Sequence, residues 1–186
     1  MSKTSAAAGK ALTSSGGSHF ELFGIEPAFA LDAAALEAAY REIQSRVHPD
    51  RFAHAGDAER RASLQWTTRV NEAYRSLKNP VQRASHILML HGVDVAFETN
   101  TAMPAEFLMQ QMELREAIEN AIARKDTNAL ATVQDNLQQD KLALEKQIAQ
   151  AIDEKKDYSQ AAGLVRELQF LDKLEAEIDS AYEALD

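Results

Sequence analysis

Between residues 36 and 47 the apolar positions Leu36, Tyr40, Ile43 and Val47 recur at spacings of four, three and four. That spacing returns each side chain to one side of a 3.6-residue turn and predicts an amphipathic helix. Asp32 stands ahead of it as an N-cap. Glu37–Arg41 and Glu42–Arg46 sit four apart on its polar side, acid first, which is the favourable order. A second stripe, Trp66, Val70, Ala73, Tyr74 and Leu77, predicts another helix, with Asp57 as its cap and Asn79-Pro80 at its end. Pro80 opens a further helix carrying Arg83, Ala84, Ile87, Leu88 and Leu90 to a stop at Gly92. Upstream, Phe20-Glu21-Leu22-Phe23-Gly24-Ile25 is a short apolar piece of one or two helical turns, closed by Gly24 and Pro27.

The second half has longer periods. Three helical runs are predicted, about 104–125, 127–156 and 159–185. Leu130, Val133, Leu137, Leu144, Ile148 and Ile152 line the second run, and Leu164, Leu168, Leu171, Ile178, Tyr182 and Leu185 line the third. Short connections make them antiparallel neighbours, hence a three-helix bundle. No run of alternating β-branched residues predicts a strand, so the expected class is all-α. The expected organisation is a flexible tail 1–17, a first domain 18–92, a linker 93–103 and a C-terminal bundle 104–186.

On a helical wheel Phe107, Leu114, Ile118 and Ala121 fall in one narrow stripe, the expected bundle face of the first long helix. Leu108, Met109 and Met112 fall opposite, beside Glu113, Glu116 and Glu119. A helix burying one face does not require apolar residues on the other. Such a patch with a polar rim marks a contact surface, and methionine adapts to varied partners. Phe170 lies off the centre of its own helix's apolar stripe. From geometry alone, the cover for this patch is either the first domain or a separate partner.

Composition and charge narrow the function classes. Of 186 residues 45% are hydrophobic, enough for a core, and Pro and Gly are scarce. The net charge of −9 argues against nucleic acid as main partner. It is unevenly spread. Residues 18–92 carry nine basic and nine acidic side chains, whereas residues 93–186 carry nine basic and twenty acidic. There is no cysteine, which excludes disulfides and Cys-ligated zinc or iron–sulfur clusters on this chain and suits a reducing compartment. The Ala/Ser/Gly-rich start lacks the apolar run of a secretory signal and the arginines of a transit peptide, though it shares the latter's lack of acids. No segment has the apolar length to cross a bilayer. His48 and His54, and His86 and His91, do not make a zinc-ligand set, and no Gly-rich phosphate loop appears, so no metal and no cofactor is expected.

His48-Pro49-Asp50 follows the first amphipathic helix. Proline excludes the helical region from the residue before it, so the helix must stop near His48. The tripeptide then sits between two helices and offers an imidazole, a fixed turn and a carboxylate on a scaffold.

The first half resembles a J domain. The opening Phe20–Ile25 segment is similar to the family's first helix. Tyr40-Arg41 followed by His48-Pro49-Asp50-Arg51 is similar to its second helix and signature loop. Val70-Asn71-Glu72-Ala73-Tyr74 with Leu77, and Asn79-Pro80 with Arg83-Ala84, are similar to its third helix and exit. In the second half the stretches Phe107 to Glu116 and Phe170-Leu171-Asp172-Lys173-Leu174 resemble the C-terminal domain of HscB, the J-type co-chaperone family of iron–sulfur cluster assembly. The chain departs from the pattern at Arg51, where lysine is usual, and in its tail. It lacks the cysteine pairs of eukaryotic relatives, so a bacterial, cytoplasmic version is expected.

The resemblance implies a non-enzymatic adaptor with two partners. One is a DnaK-class chaperone ATPase of the HscA type, docked by His48, Pro49 and Asp50 with Arg41, Arg46 and Arg51 as a basic surface. The other is a scaffold protein of the IscU type, held by Leu108, Met109, Met112 and Phe170 with Glu113 and Glu116 as rim. The alternative for Arg41 and Arg46 is simple pairing with Glu37 and Glu42 on a solvated face. The alternatives for the whole chain are a general J-type holdase that binds unfolded clients and a purely structural helical module in which the tripeptide is incidental.

Overall fold

The computed structural model describes residues 17–47, 56–97 and 103–185. His48, Pro49, Asp50 and Arg51 lie outside the described residues, as does the expected tail up to Gly16. Among the described residues there are helices and no strand. They are α1 (His19–Phe23), α2 (Ala33–Val47), α3 (Asp57–Lys78), α4 (Pro80–Leu90), α5 (Ala105–Arg124), α6 (Thr127–Ala149) and α7 (Tyr158–Leu185). A π-helical segment, Gln150–Lys155, continues α6. The chain forms two compact units that divide after Leu90.

In the first unit, local chemistry sets the helix ends. Ser18 and Glu21 form a reciprocal capping box on α1, and Gly24, at φ 65°, closes it in a left-handed turn that a side chain would strain. Asp32 Oδ1 accepts from the backbone N–H groups of Ala34 and Ala35, as an N-cap should. Asp57 differs from expectation. It is the first residue of α3, and Gly56 holds the cap position without a side-chain bond. There the Asp57 carboxylate still favours the helix through its dipole. Asn79 Oδ1 accepts from Gln82 N and so starts α4 where α3 stops.

Cross-helix contacts run in opposite order along α2 and α3: Val47 meets Ser63 and Thr67, Tyr40 meets Asn71 and Tyr74, and Glu37 meets Tyr74. The two helices are therefore an antiparallel hairpin. Phe20, Leu36, Val70, Ala73, Leu77, Ile87 and Leu88 make the core beneath it. Each such large side chain contributes about 1.5–3 kcal/mol on burial. Leu90, expected on the α4 stripe, is instead exposed, because Ile87 and Leu88 already fill the inward positions.

One half-buried pair is expected to make this unit sensitive to acid. The rings of His19 and His86 stack with centroids 4.2 Å apart, and His86 Nε2 accepts from the His19 backbone N–H at 3.1 Å. That bond needs a neutral His86. Burial lowers the affinity of both imidazoles for protons, with Arg69 adding to the effect on His19 and His19 on His86. The unfolded chain, with ordinary histidines near 6.5, then binds protons that the folded chain refuses. The stability contributed by the pair is present above pH 6.5 and is lost as pH falls through the lower folded values. The thermal midpoint is expected to drop between pH 7.5 and about 5.5, and less so in His86→Gln, which keeps an acceptor but does not titrate. Equal drops in both proteins on thermal scans would refute this.

The second unit is a three-helix bundle. Phe107 meets Phe170 and Arg115 meets Glu177, in the same order along α5 and α7, so these run parallel. Gln138 and Lys141 of α6 meet Glu175 and Asp172 of α7 in reverse order, so these run antiparallel. Lys141 clamps the pair, 2.7 Å from Asp172 and 2.5 Å from Glu175. Burial alone would lower its ammonium, but the two carboxylates outweigh it and hold the charge above the usual lysine value. Leu130, Val133, Leu137, Leu144, Ile148 and Ile152 are all buried, as the period predicts. On α7 the stripe is shifted. Leu164 is half-buried while Val165 takes the interior position.

Part of the stretch read as a linker belongs to this unit. Val95 is buried, its carbonyl accepts from Arg166 at 3.0 Å, and the neighbouring His91 ring stacks on Tyr158 at 4.0 Å. An apolar side chain and a guanidinium partner on α7 hold residues that their turn-rich sequence alone would leave unattached.

Candidate functional site

In the first unit the candidate surface is the outer side of α2. Arg41 lies 2.9 Å from Glu37 and Arg46 2.5 Å from Glu42, one helical turn apart in each case. Both pairings anticipated from the sequence form, and Arg41 is still 74% exposed. The arginines are thus both paired on a solvated face and reachable. Exposed pairs of this kind bind weakly enough to exchange partners.

The end of α2 is held from outside. Ser63 Oγ donates to the Val47 carbonyl at 2.7 Å and Thr67 Oγ1 donates to the same oxygen at 3.2 Å. Ser63 is buried, and Val47 is the residue directly before His48. Two hydroxyls of α3 therefore satisfy the last carbonyl of α2, which its own helix leaves without a partner. Sequence reading passed over both, since a Ser or Thr adds nothing to a hydrophobic stripe even where it faces inward.

In the second unit α5 carries the other candidate. Phe107, Ile118 and Ala121 are buried toward the bundle, and Leu114 is half-buried. Leu108, Met109 and Met112 are 42%, 63% and 71% exposed. Glu113 and Glu116 are exposed beside them. Met109, Met112, Glu113, Arg115, Glu116 and Glu119 line an open hollow of about 440 Å³. The expected apolar strip with an acid edge thus stands at the surface of its own unit.

Phe170 joins this strip indirectly. It does not line the hollow. Its ring packs edge-on against Phe107, with centroids 6.2 Å apart, and the Arg115 guanidinium lies 5.3 Å above it. Arg115 is fixed in turn by both oxygens of Glu177, at 3.2 and 3.1 Å. Nothing in the residue spacing marks Arg115 as the side chain that bridges Phe170 to the strip, because the link crosses from α5 to α7.

Beneath the strip lies a polar anomaly. Gln111 is 3% exposed, within the stripe of Phe107, Leu114 and Ile118, and its Oε1 has no hydrogen-bond partner. An unsatisfied buried acceptor is costly. Its spacing, four after Phe107 and three before Leu114, was the available signal.

Among the described residues, no group of three or more His, Asp or Glu side chains could hold a metal ion, and no helix is long and apolar enough to cross a membrane.

Comparison with known proteins places these two units in a familiar pairing. Residues 103–179 match the family described as the HSCB C-terminal oligomerisation domain. A co-chaperone protein HscB homolog from Azoarcus sp. (strain BH72) is 49% identical over 168 residues, which covers 90% of this chain and 95% of the relative. Among solved structures, chaperone HscB from Vibrio cholerae superposes with a TM-score of 0.80 at 32% identity, covering 91% of this chain and all of that one. Human co-chaperone protein HscB gives 0.83 at 25% identity, covering 89% and 82%.

Proposed function

Because the chain belongs to the HscB co-chaperone family, its units being a J domain and a C-terminal three-helix bundle, we propose that it links an IscU-type iron–sulfur scaffold protein to an HscA-type chaperone of the DnaK class and stimulates that chaperone's ATPase. The observation that carries this reading is the exposed strip of Leu108, Met109 and Met112 with its rim of Glu113 and Glu116, on a helix whose opposite face already fills the bundle. The strip supplies apolar anchors for a folded partner, with Phe170 held beside it by Phe107 and Arg115. The acid rim favours a scaffold surface carrying lysine or arginine.

In the first unit, Arg41 and Arg46 face an acidic groove of the ATP-bound chaperone, together with Arg51 and the His48-Pro49-Asp50 tripeptide. Asp50 accepts charge-assisted hydrogen bonds from a basic group there. His48 donates to the same site, and Pro49 limits the ordering cost of docking. No step of ATP chemistry passes through this chain, which is not an enzyme. It acts by binding the hydrolysis-competent state of the chaperone more tightly than the alternative. Holding the scaffold on the same molecule raises its local concentration at the chaperone, so capture and hydrolysis coincide. An iron–sulfur cluster, where present, is the scaffold's cargo, since this chain has no cysteine to ligate it.

The test is steady-state ATP hydrolysis by the chaperone with this chain, with scaffold, and with both. The expected result is a synergistic rise with both present. Additive rates would remove the adaptor reading. Competition for the α5 strip by unfolded polypeptide would favour a general holdase instead.

A further inference from the structure

The guanidinium of Arg41 is not presented as a bare charge. Glu37 Oε1 accepts from Arg41, with Nε and Nη2 both at 2.9 Å, while Oε2 accepts from the hydroxyl of Tyr74, which reaches across from α3. Tyr74 is itself fixed. Its ring stacks on Tyr40, with centroids 4.1 Å apart, and the Lys78 ammonium lies 5.8 Å from its centre. Tyr40 in turn donates to Asn71 Oδ1 at 3.0 Å and accepts from Gln44 at 2.9 Å. Glu37 is therefore pinned at both oxygens, one of them by the neighbouring helix. Hydrogen bonds from Tyr74 and Arg41 hold its carboxyl below the usual glutamate range, so it stays ionised at neutral pH.

Two consequences follow from an ionised, anchored carboxylate against Arg41. From beyond a Debye length, about 8–10 Å in physiological salt, the pair has almost no net charge and does not attract an acidic surface. At contact, a partner's carboxylate must take Arg41 away from a competitor that cannot swing aside. We propose that Glu37, anchored by Tyr74, is an affinity-setting residue of the chaperone-docking surface: it masks the charge of Arg41, which must leave Glu37 to pair with the chaperone. The inference rests on the reading of Arg41 as a docking residue, and the experiment separates the two.

Glu37→Gln keeps an oxygen for Tyr74 and removes the charge. Glu37→Gln, Arg41→Ala and the double variant are titrated against the chaperone in the ATPase assay, at low and at physiological salt, with helicity recorded for each. Glu37→Gln is expected to lower the concentration for half-maximal stimulation about two- to three-fold at low salt and by less at higher salt, with the maximal rate unchanged. Arg41→Ala raises that concentration, and the Glu37→Gln gain vanishes in the Arg41→Ala background. If Arg41→Ala weakens docking but Glu37→Gln does not strengthen it, the masking role is overturned and the docking role stands. A gain that persists without Arg41 also overturns it, since Glu37 would then act only through overall charge. An Arg41→Ala titration superimposable on wild type removes Arg41 from docking, and the proposal with it.

Discussion

Replacing His48 with Gln is expected to return the chaperone's ATPase to its unstimulated rate while the helical content of the co-chaperone stays the same. Among the described residues, the helices on either side are held by core side chains and hydroxyls of their own. α2 is anchored by Leu36 and Val47 in the core and by the Ser63 and Thr67 hydroxyls on its last carbonyl. α3 is anchored by Val70, Ala73 and Leu77. The substitution therefore removes an imidazole from the docking surface and leaves the hairpin in place. A hydrogen bond to a charged group contributes about 1.5–3 kcal/mol, and 1.4 kcal/mol is tenfold in binding. Stimulation at a fixed, subsaturating concentration should fall at least tenfold. Phosphate-release rates and far-ultraviolet circular dichroism measure the two halves of this expectation. Stimulation at the wild-type level would end the reading of the tripeptide as the chaperone hook.

The second large effect is on the scaffold. Changing Leu108, Met112 and Phe170 together to alanine should weaken scaffold binding at least a hundredfold. Truncating one good apolar anchor costs about 2 kcal/mol or more, and neighbouring anchors do not add in full. Leu108 and Met112 are exposed, so their truncation leaves the bundle untouched. Phe170 is different. It packs on Phe107 and under Arg115, so its loss also loosens α5 against α7. The Leu108→Ala/Met112→Ala double variant isolates the interface term, and its thermal midpoint should match wild type. Calorimetric titration with scaffold reads the affinity. A triple variant that binds as wild type does would defeat the assignment of this strip.

The elements that follow from periodicity were legible in the sequence. The stripe of α6 is buried residue for residue, and the exposed side of α5 carries the three apolar residues that the wheel places there. Local chemistry was legible as well: the Asp32 cap and the two Glu–Arg pairs on α2 depend only on neighbours in sequence. What escaped were contacts between residues far apart in the chain. Ser63 with Val47, Arg115 with Phe170 and Glu177, and Lys141 with Asp172 and Glu175 each cross from one helix to another. Hydrophobic spacing fixes which way a side chain faces but not what waits on the neighbouring helix. Register failed where apolar residues were dense. On α7, Leu164 and Val165 both suit an inward stripe, and only packing against its neighbours selects Val165. The π-helical end of α6 was read as ordinary helix for a similar reason, since Ile152 stays inward in either winding.

The grip of Ser63 and Thr67 on the Val47 carbonyl has a mechanical consequence. A helix that ends on water or on its own last turn can unwind a residue or two when something tugs at it. Here the terminal turn is moored to a second helix. A partner pulling on the chain just beyond Val47 therefore strains the α2–α3 hairpin as one beam. The tug passes into Val70 and Leu77, at the centre of the core, and is not spent on fraying.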